Sequence, residues 1–525
     1  MPEPPTQRIL MRFGVTVVAN LLRAGCSFAG GMVLAKSLGA SNYGDLSFLL
    51  GSFAAASQLL DCGTSTAFFT FIASRRRSAA LFALYGGWLA AQFAILLLVV
   101  GVVLPQPVIE RLWVGHQHGI VLLACGASFL TTQLWNAVSQ LGEAVRWTAT
   151  VQCAAVGQAL IHFLLMLIGA WQGWLSVPAV MWLLIGEYAL LVVILGPRLV
   201  RENIGGTSGS ERGHGALVKE FMAYCKPLVL YSWIGCVYAF ADQWLLQRFG
   251  GSAQQGFFAV AQQFTVLSLL LTTSVLKVFW KEIAEARERQ NHQRVQRLYV
   301  STAHGLYGSA AWLSCLMIPY SRELLGMLLG PAYEASWLCL AILLLYPVHQ
   351  SLGQIGGAFF YATKQTGAYA WIGMGMMALS LPVTYLLLAP ASAPIPGLGL
   401  GAVGLAVKLV ALQVVGVNLQ AAVIARSGGF AYPYHQQAST LAVFFGLGWI
   451  CKAAGAAVVG LADPGRPPAA VMLAGGLLYA ACSAAVLARF PMLAGLTREQ
   501  LHGVRLMLGG KRPVLSGSST WMESG

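Results

Sequence analysis

Charge is what this chain has least of. Asp, Glu, Lys and Arg make up 10% of its 525 residues, where soluble proteins carry roughly a quarter. Too little polar surface remains to cover a water-facing globule, and 57% of the residues are hydrophobic, with a mean hydropathy of +0.68. That argues against a soluble enzyme or binding domain and for a polytopic membrane protein. Acid is the scarcer sign: 18 Asp and Glu stand against 32 Lys and Arg. Long polar loops are missing as well, so no water-facing segment is large enough to be a catalytic domain. The ten cysteines fall within apolar runs and no two are spaced as CxxC, so neither a disulfide framework nor a zinc ribbon is expected. His116 and His118 form an HxH pair without further ligands, and no metal or cofactor site is expected.

What is present is a succession of apolar segments, each near the ~20 residues a bilayer requires. They lie near 13–37, 44–73, 81–103, 119–140, 149–171, 175–196, 224–248, 254–280, 299–320, 335–358, 368–389, 398–424, 438–462 and 468–488. About fourteen spans of this length indicate helices, because a membrane barrel is built from strands of roughly ten alternating residues. With the N-terminus inside, roughly 24 Lys and Arg fall on the inner loops and roughly five on the outer ones. The net charge of +14 is therefore topological, and a nucleic-acid partner is not expected. The first apolar segment contains Arg23 and reads as a retained span, not a signal peptide. Both termini are expected on the cytoplasmic side of a bacterial inner membrane.

Polar residues inside such spans point to function. On span one, Thr16, Asn20, Arg23 and Ser27 recur every three or four residues and line one helix face. Span two carries Gln58, Asp61 and Ser65 on one face, and span four carries Gln133, Asn136 and Gln140. Span six holds Glu187; span five holds Gln158 and His162, the latter readable as a hydrogen-bonded packing residue or as a ligand. Tyr231, Tyr238 and Asp242 share a face of span seven, while Lys408 and Lys452 lie in spans twelve and thirteen. A guanidinium inside a span either snorkels, pairs with a carboxylate or faces a wet lumen. Asp61 is accordingly a partner for Arg23 or a group that titrates.

The stretch 36–77 organises the rest. A glycine-rich connection, LGASNYG, leads into an apolar run that ends on three arginines at 75–77. A second copy follows a flexible GGTSGS segment at 205–210. There FGGSAQQGFFAV sits opposite LGASNYGDLSF, pairing Gly39 with Gly250 and Gly44 with Gly256 across one inserted residue. A parallel repeat with a site between its halves is a transporter plan. The expected organisation is an N-terminal helical lobe at 1–200, a cytoplasmic linker at 201–222, a C-terminal helical lobe at 223–430, two additional spans at 431–490 and a cytoplasmic tail at 491–525.

These elements resemble those of bacterial polysaccharide-biosynthesis (O-antigen, Wzx-type) flippases of the multidrug/oligosaccharidyl-lipid/polysaccharide exporter superfamily. The resemblance is carried by Leu38-Gly39, Tyr43-Gly44 and the D-x-G element Asp61-Cys62-Gly63. FADQWLLQRFGGSAQQGFFAVAQQF and PGLGLGAVGLA carry it in the second half. It covers roughly residues 9–430 in layout; Gln254-Gln255 departs from it, standing where an acidic residue is frequent. It implies an all-α, MATE-like fold of two pseudo-repeated lobes around a central cavity, working by alternating access with no catalytic residues. The implied cargo is an undecaprenyl-pyrophosphate-linked oligosaccharide for O-antigen, capsule or exopolysaccharide assembly. Implied partners are membrane lipids and a polysaccharide polymerase and chain-length regulator.

Such a cargo needs cations for its pyrophosphate and amides or aromatics for its sugars. Arg23, Lys408 and Lys452 are the candidate cations. Gln58, Gln133, Asn136, Gln140, Tyr231 and Tyr238 are the candidate sugar wall, and Asp61, Glu187 and Asp242 the candidates for ion coupling or charge pairing. A drug/cation antiporter of the same superfamily remains the alternative; lipid II flippases share the implied fold, but their characteristic early arginine-aspartate-rich motif is not evident here. A membrane glycosyltransferase, polymerase or ligase is disfavoured by the short outer loops.

Overall fold

The computed structural model describes residues 5–73, 78–204, 214–462 and 468–495. The arginines at 75–77, the GGTSGS segment and the tail beyond 495 lie outside them. The described residues fold into helices α1 (Pro5–Asp61), α2 (Thr64–Ala73), α3 (Ala79–Leu98), α4 (Gln106–Leu112), α5 (His118–Phe129), α6 (Trp135–Ala144), α7 (Thr148–Gln172), α8 (Val177–Asn203) and α9 (His214–Gly250). They continue as α10 (Ser252–Glu288), α11 (His292–Met317), α12 (Ser321–Leu329), α13 (Trp337–Leu343), α14 (Tyr346–Ala362), α15 (Thr366–Leu388), α16 (Gly401–Gly428), α17 (Tyr434–Ala462) and α18 (Pro468–Arg489). No strand occurs among the described residues. The protein is an all-α, multi-pass membrane protein.

Among the described residues, ten stretches are long and apolar enough to cross a bilayer. One of them, Val18–Asp61, is two passes. Its helix is broken at Gly39 (φ 74°, ψ 169°), and Gly31 and Tyr43 on either side of the break both meet the side chain of Gln263. A straight helix would hold those two positions roughly 18 Å apart, so the chain reverses at Gly39. Together with α9, α10 and α11 the count is consistent with about fourteen passes.

The helices form two compact units. The first comprises Met1–Leu270, Ser321–Leu343 and Gly367–Gly416, the second Leu271–Tyr320, Leu344–Thr366 and Val417–Gly525. In the first, α1 is the spine and packs on α5, α7 and α9. An apolar cluster of Phe68, Phe71, Tyr85, Leu141, Val151, Leu199 and Phe221 ties α2, α3, α6, α7, α8 and α9 together. In the second, α11 packs on α14 and α17, and α17 on α18. There Trp312 donates to Ser483 Oγ at 2.8 Å and Tyr479 donates to the Trp312 carbonyl at 2.9 Å. Many large apolar residues are exposed, among them Trp171, Val102 and Leu477, as lipid-facing helices require.

The repeat suggested by glycine spacing has a physical basis, with one correction. Gly251, not Gly250, shares the positive φ of Gly39, at 81° against 74°. Only glycine occupies this region without strain. The corrected pairing removes the inserted residue, because Gly44 and Gly256 each follow their turn by five positions. These two glycines then cross reciprocally. A Cβ on Gly44 would overlap the carbonyl oxygen of Ser252, and one on Gly256 would overlap that of Ala40. In each case residue +1 of one turn lies against residue +5 of the other. The glycines let the two backbones approach as closely as Cα–H···O contacts allow.

Candidate functional site

Polar side chains guard this crossing. Gln247 Nε2 reaches Asp45 Oδ1 at 2.9 Å and Ser252 Oγ at 3.0 Å. His116, in the connection between α4 and α5, lies 3.4 Å from Asp45. Burial lowers the pKa of His116, but its bonds to Asp45 and the Trp113 carbonyl outweigh this and leave it raised. On the second copy, Tyr333 donates to the Ala35 carbonyl at 3.0 Å and packs edge-on against Phe257. Gln254 accepts from the backbone N–H of Ala402 at 2.9 Å, so it caps α16. This explains why an amide suffices where acids are frequent: either supplies an oxygen to a helix N-terminus.

The three intramembrane acids have three different surroundings. Asp61 is a helix cap. Its carboxylate accepts from the backbone N–H groups of Gly63 and Ser65 and from the hydroxyls of Thr64 and Ser65, at 3.0–3.1 Å. The D-x-G element is thus a break in the second pass, with Cys62 and Gly63 both at positive φ. Carbonyls freed near the end of α1 are met by side chains. Gln92 donates to Leu60 O at 3.2 Å and Gln133 to Ser57 O at 3.0 Å. Among the described residues no ion pair joins Asp61 to Arg23.

Asp242 is neutralised. Lys408 Nζ lies 2.5 Å from Asp242 Oδ2 with its side chain wholly buried, and Thr384 donates to Oδ1 at 2.8 Å. The ring of Tyr238 covers the ammonium at 4.6 Å. Glu187 meets only groups that are neutral or themselves titrate. Gln158 Nε2 donates to Oε2 at 2.9 Å, and His162 Nδ1 lies 3.0–3.1 Å from both carboxylate oxygens.

Beside Glu187 lies a cavity of about 380 Å³ bounded by α1, α7, α8 and α10. Its polar lining is Ser27, Tyr43, Ser47, Gln158, His162, Tyr188 and Gln263. The Oε1 of Gln263 is buried without a partner. Gly31 makes room for this amide, since a Cβ there would collide with it. Arg23 sits one helical turn before Ser27 with its side chain exposed, and its charge acts on Tyr188.

A family model described as polysaccharide biosynthesis protein matches residues 9–280. The chain belongs to this family. No curated protein sequence matches it. Among solved structures the fold of this family member is similar to that of the lipid II flippase MurJ in an inward closed conformation. The TM-score is 0.66 at 12% identity, over 90% of this chain and 98% of that one. It is also similar to an inward-facing multidrug resistance MATE family transporter of the MOP superfamily, with a TM-score of 0.55 at 12% identity over 78% and 98%. A third likeness is to a MOP superfamily transporter from Pyrococcus furiosus, at 0.52 and 12% over 81% and 96%. At such identities the likeness establishes the fold.

The residues singled out in this polysaccharide biosynthesis protein fall into separate groups. Glu187 is bonded to Gln158 and His162 of the cavity wall, and Arg23 lies one helical turn before Ser27, which lines it. Gln133 is buried between helices, Asn136 is exposed and accepts from Gln140 at 3.3 Å, and Gln58 and Tyr231 are exposed. Lys408 is sequestered by Asp242. Lys452 belongs to the second unit, where its Nζ lies 2.6 Å from the Pro319 carbonyl and near the rings of Tyr320 and Trp449. Sequence reasoning missed Gln263, Tyr188, Tyr43 and Asp45. Gln263 and Tyr43 join positions 220 residues apart, which periodicity along one helix does not reveal.

Proposed function

We propose that this protein is a flippase for a lipid-linked oligosaccharide, of the undecaprenyl-pyrophosphate type, in bacterial polysaccharide assembly. The observation that carries the proposal is membership of the polysaccharide biosynthesis family in a chain folded like a lipid II flippase along nine-tenths of its length. The physical requirement is plain. A prenyl tail stays in hydrocarbon, whereas a pyrophosphate and its sugars cannot cross it unaided. Arg23 supplies the bidentate cation for the pyrophosphate. Lys408 and Lys452 are engaged elsewhere and take no part in this reading. The amides and hydroxyls around Gln158, Tyr188 and Gln263 supply hydrogen-bond partners for a sugar. In this proposal the lobes at 1–200 and 223–430 alternate access in the inner membrane, with both termini cytoplasmic. Its partners are membrane lipids and the polymerase and chain-length regulator of the pathway.

The test is reconstitution in vesicles holding a synthetic undecaprenyl-pyrophosphate-linked sugar. Wild type should equilibrate the probe between leaflets and Arg23→Ala should not, while Arg23→Lys retains part of the rate. An Arg23→Ala protein that inserts normally and flips at the wild-type rate overturns the assignment of Arg23. Wild type that moves only cationic drugs overturns the substrate class, in favour of the antiporter reading that the MATE-like fold also accommodates.

A further inference from the structure

We propose that one face of α9 is a carbohydrate-stacking track, on which Tyr224 and Tyr231 hold two sugar rings of the cargo. The inference deepens the flippase reading and rests on it for the cargo, but the track itself stands on the arrangement of side chains within the first unit.

Tyr224, Tyr231 and Tyr238 recur every seven residues along α9. Seven residues make about two turns and drift by only ~20°, so the three rings climb one face in steps of about 10.5 Å. Tyr224 is 37% exposed and Tyr231 40%. Tyr238 closes the series, because its ring covers the Lys408 ammonium at 4.6 Å, where the buried pair with Asp242 begins. Met222, Trp233 and Val237 are exposed on the opposite side of the helix. The flank between these two faces is buried at Phe221, Cys225 and Cys236. Helix α9 therefore has two open faces, an apolar one suited to lipid and a second one that carries the tyrosines.

The second face stays polar beyond its own helix. Thr70 Oγ1 lies 3.3 Å from the Tyr224 hydroxyl, and Thr66, one turn earlier on α2, is exposed as well. Gln58 is also exposed, and its Oε1 would stand 3.7 Å from a Cβ on Gly235. Gly235 is one turn beyond Tyr231. Aromatic belts put tyrosines at the membrane interface. A belt accounts for Tyr224, at the start of its expected span, but not for Tyr231 two turns deeper or for an amide deeper still. Polar groups at such depth are not left against hydrocarbon, so this face borders water.

A hydrated wall of tyrosines, hydroxyls and an amide matches the chemistry of a pyranose. The sugar presents a flat patch of C–H groups and a rim of hydroxyls. Tyrosine offers a rigid apolar ring with a polar tip, and Thr70 and Gln58 offer hydrogen-bond partners for the rim. The rungs stand near a disaccharide's length apart, so one sugar covers a single rung and a longer chain covers both. Stacking follows the shape of the ring more than the identity of each hydroxyl. The track thus favours an oligosaccharide over a monosaccharide without fixing which sugars it contains.

Two measurements on the full-length protein test this. In phospholipid nanodiscs, saturation-transfer NMR with maltotetraose as the probe should show its C–H protons receiving magnetisation from wild type. The signal should fall by about tenfold in the double variant Tyr224→Ala/Tyr231→Ala. It should persist in Tyr224→Phe/Tyr231→Phe and be unchanged in Trp233→Ala, on the opposite face. In vesicles, flipping of a synthetic undecaprenyl-pyrophosphate-linked tetrasaccharide should slow by a similar factor in the double alanine variant. Flipping of the corresponding monosaccharide-linked probe should slow much less. No transfer in wild type, equal transfer in the double alanine variant, or equal slowing of both flipping probes overturns the track. Transfer that depends on the two tyrosines, in a protein that flips neither probe, supports the track and overturns the flippase reading instead.

Discussion

At the scale of single residues, the buried Lys408–Asp242 pair is held by mutual neutralisation. Removing one partner strands a charge in an apolar bundle, which typically costs about 3–5 kcal/mol. Lys408→Met alone should therefore lower the thermal midpoint sharply, and so should Asp242→Leu alone. The double variant should regain most of the loss, since two apolar residues of similar volume leave no charge behind; melting of the detergent-solubilised protein measures all three. His116 supports a second prediction of opposite character. Its pKa is raised, because the Asp45 and Trp113 contacts outweigh burial. Its contribution to stability is fully present below the ordinary imidazole value of about 6.5 and fades as pH rises through the folded value. The melting-temperature gap between wild type and Asp45→Asn should be wide at about pH 5.5 and narrow by about pH 8.5. A gap that widens with pH would contradict the pairing. Some of this was open to sequence reasoning and some was not. That Asp242 and Glu187 are costly acids inside spans follows from position alone. Which one is neutralised depends on Lys408, 166 residues away, and on a helix packing that no local pattern encodes.

At the scale of elements, glycine carries most of what could be read in advance. The turn at Gly39 was visible because a polar, glycine-rich stretch interrupts an apolar run. The second turn was misplaced by one residue because Gly250 and Gly251 are chemically identical neighbours, and only backbone conformation separates them. The D-x-G element was visible as a motif, yet its role was not. A carboxylate four residues before a serine reads as a charged stripe until the chain is known to break at Cys62 and Gly63. Asp61→Ala should then behave as a lost N-cap and cost about 1 kcal/mol, read as a modest fall in the melting midpoint. The glycine crossing predicts something harsher. Gly44→Ala and Gly256→Ala each place a methyl group onto a carbonyl oxygen of the opposite turn. Neither backbone can yield locally, so each variant should lose more stability than Ala at Gly86, where a Cβ meets nothing within 4 Å. If the three alanine variants melt together, the close crossing is wrong.

At the scale of the whole molecule, the scarce charge decides how the chain lies in the membrane. Counted along the chain as successive passes, the connections at Gly39, at 104–117 and at Gly251 are expected on one face of the membrane and the segment at 289–291 on the other. The second face is the basic one: Arg289 lies in that segment, and Lys281, Arg287, Arg294 and Arg297 flank it. Two of these are tied to neighbouring acids, Arg294 to Glu282 and Arg289 to Glu285, both at 2.7 Å. Basic loops resist translocation, so this end should face the cytoplasm. A cysteine placed at Gln117 and another at Gln290, each in an otherwise cysteine-free chain, should report opposite faces. Intact cells treated with a membrane-impermeant maleimide should label Gln117→Cys, while Gln290→Cys should label only after the membrane is opened. The reverse pattern would contradict the proposed cytoplasmic termini. The orientation therefore bears directly on function: a headgroup collected from the cytoplasmic leaflet must enter from the face that carries the basic segment.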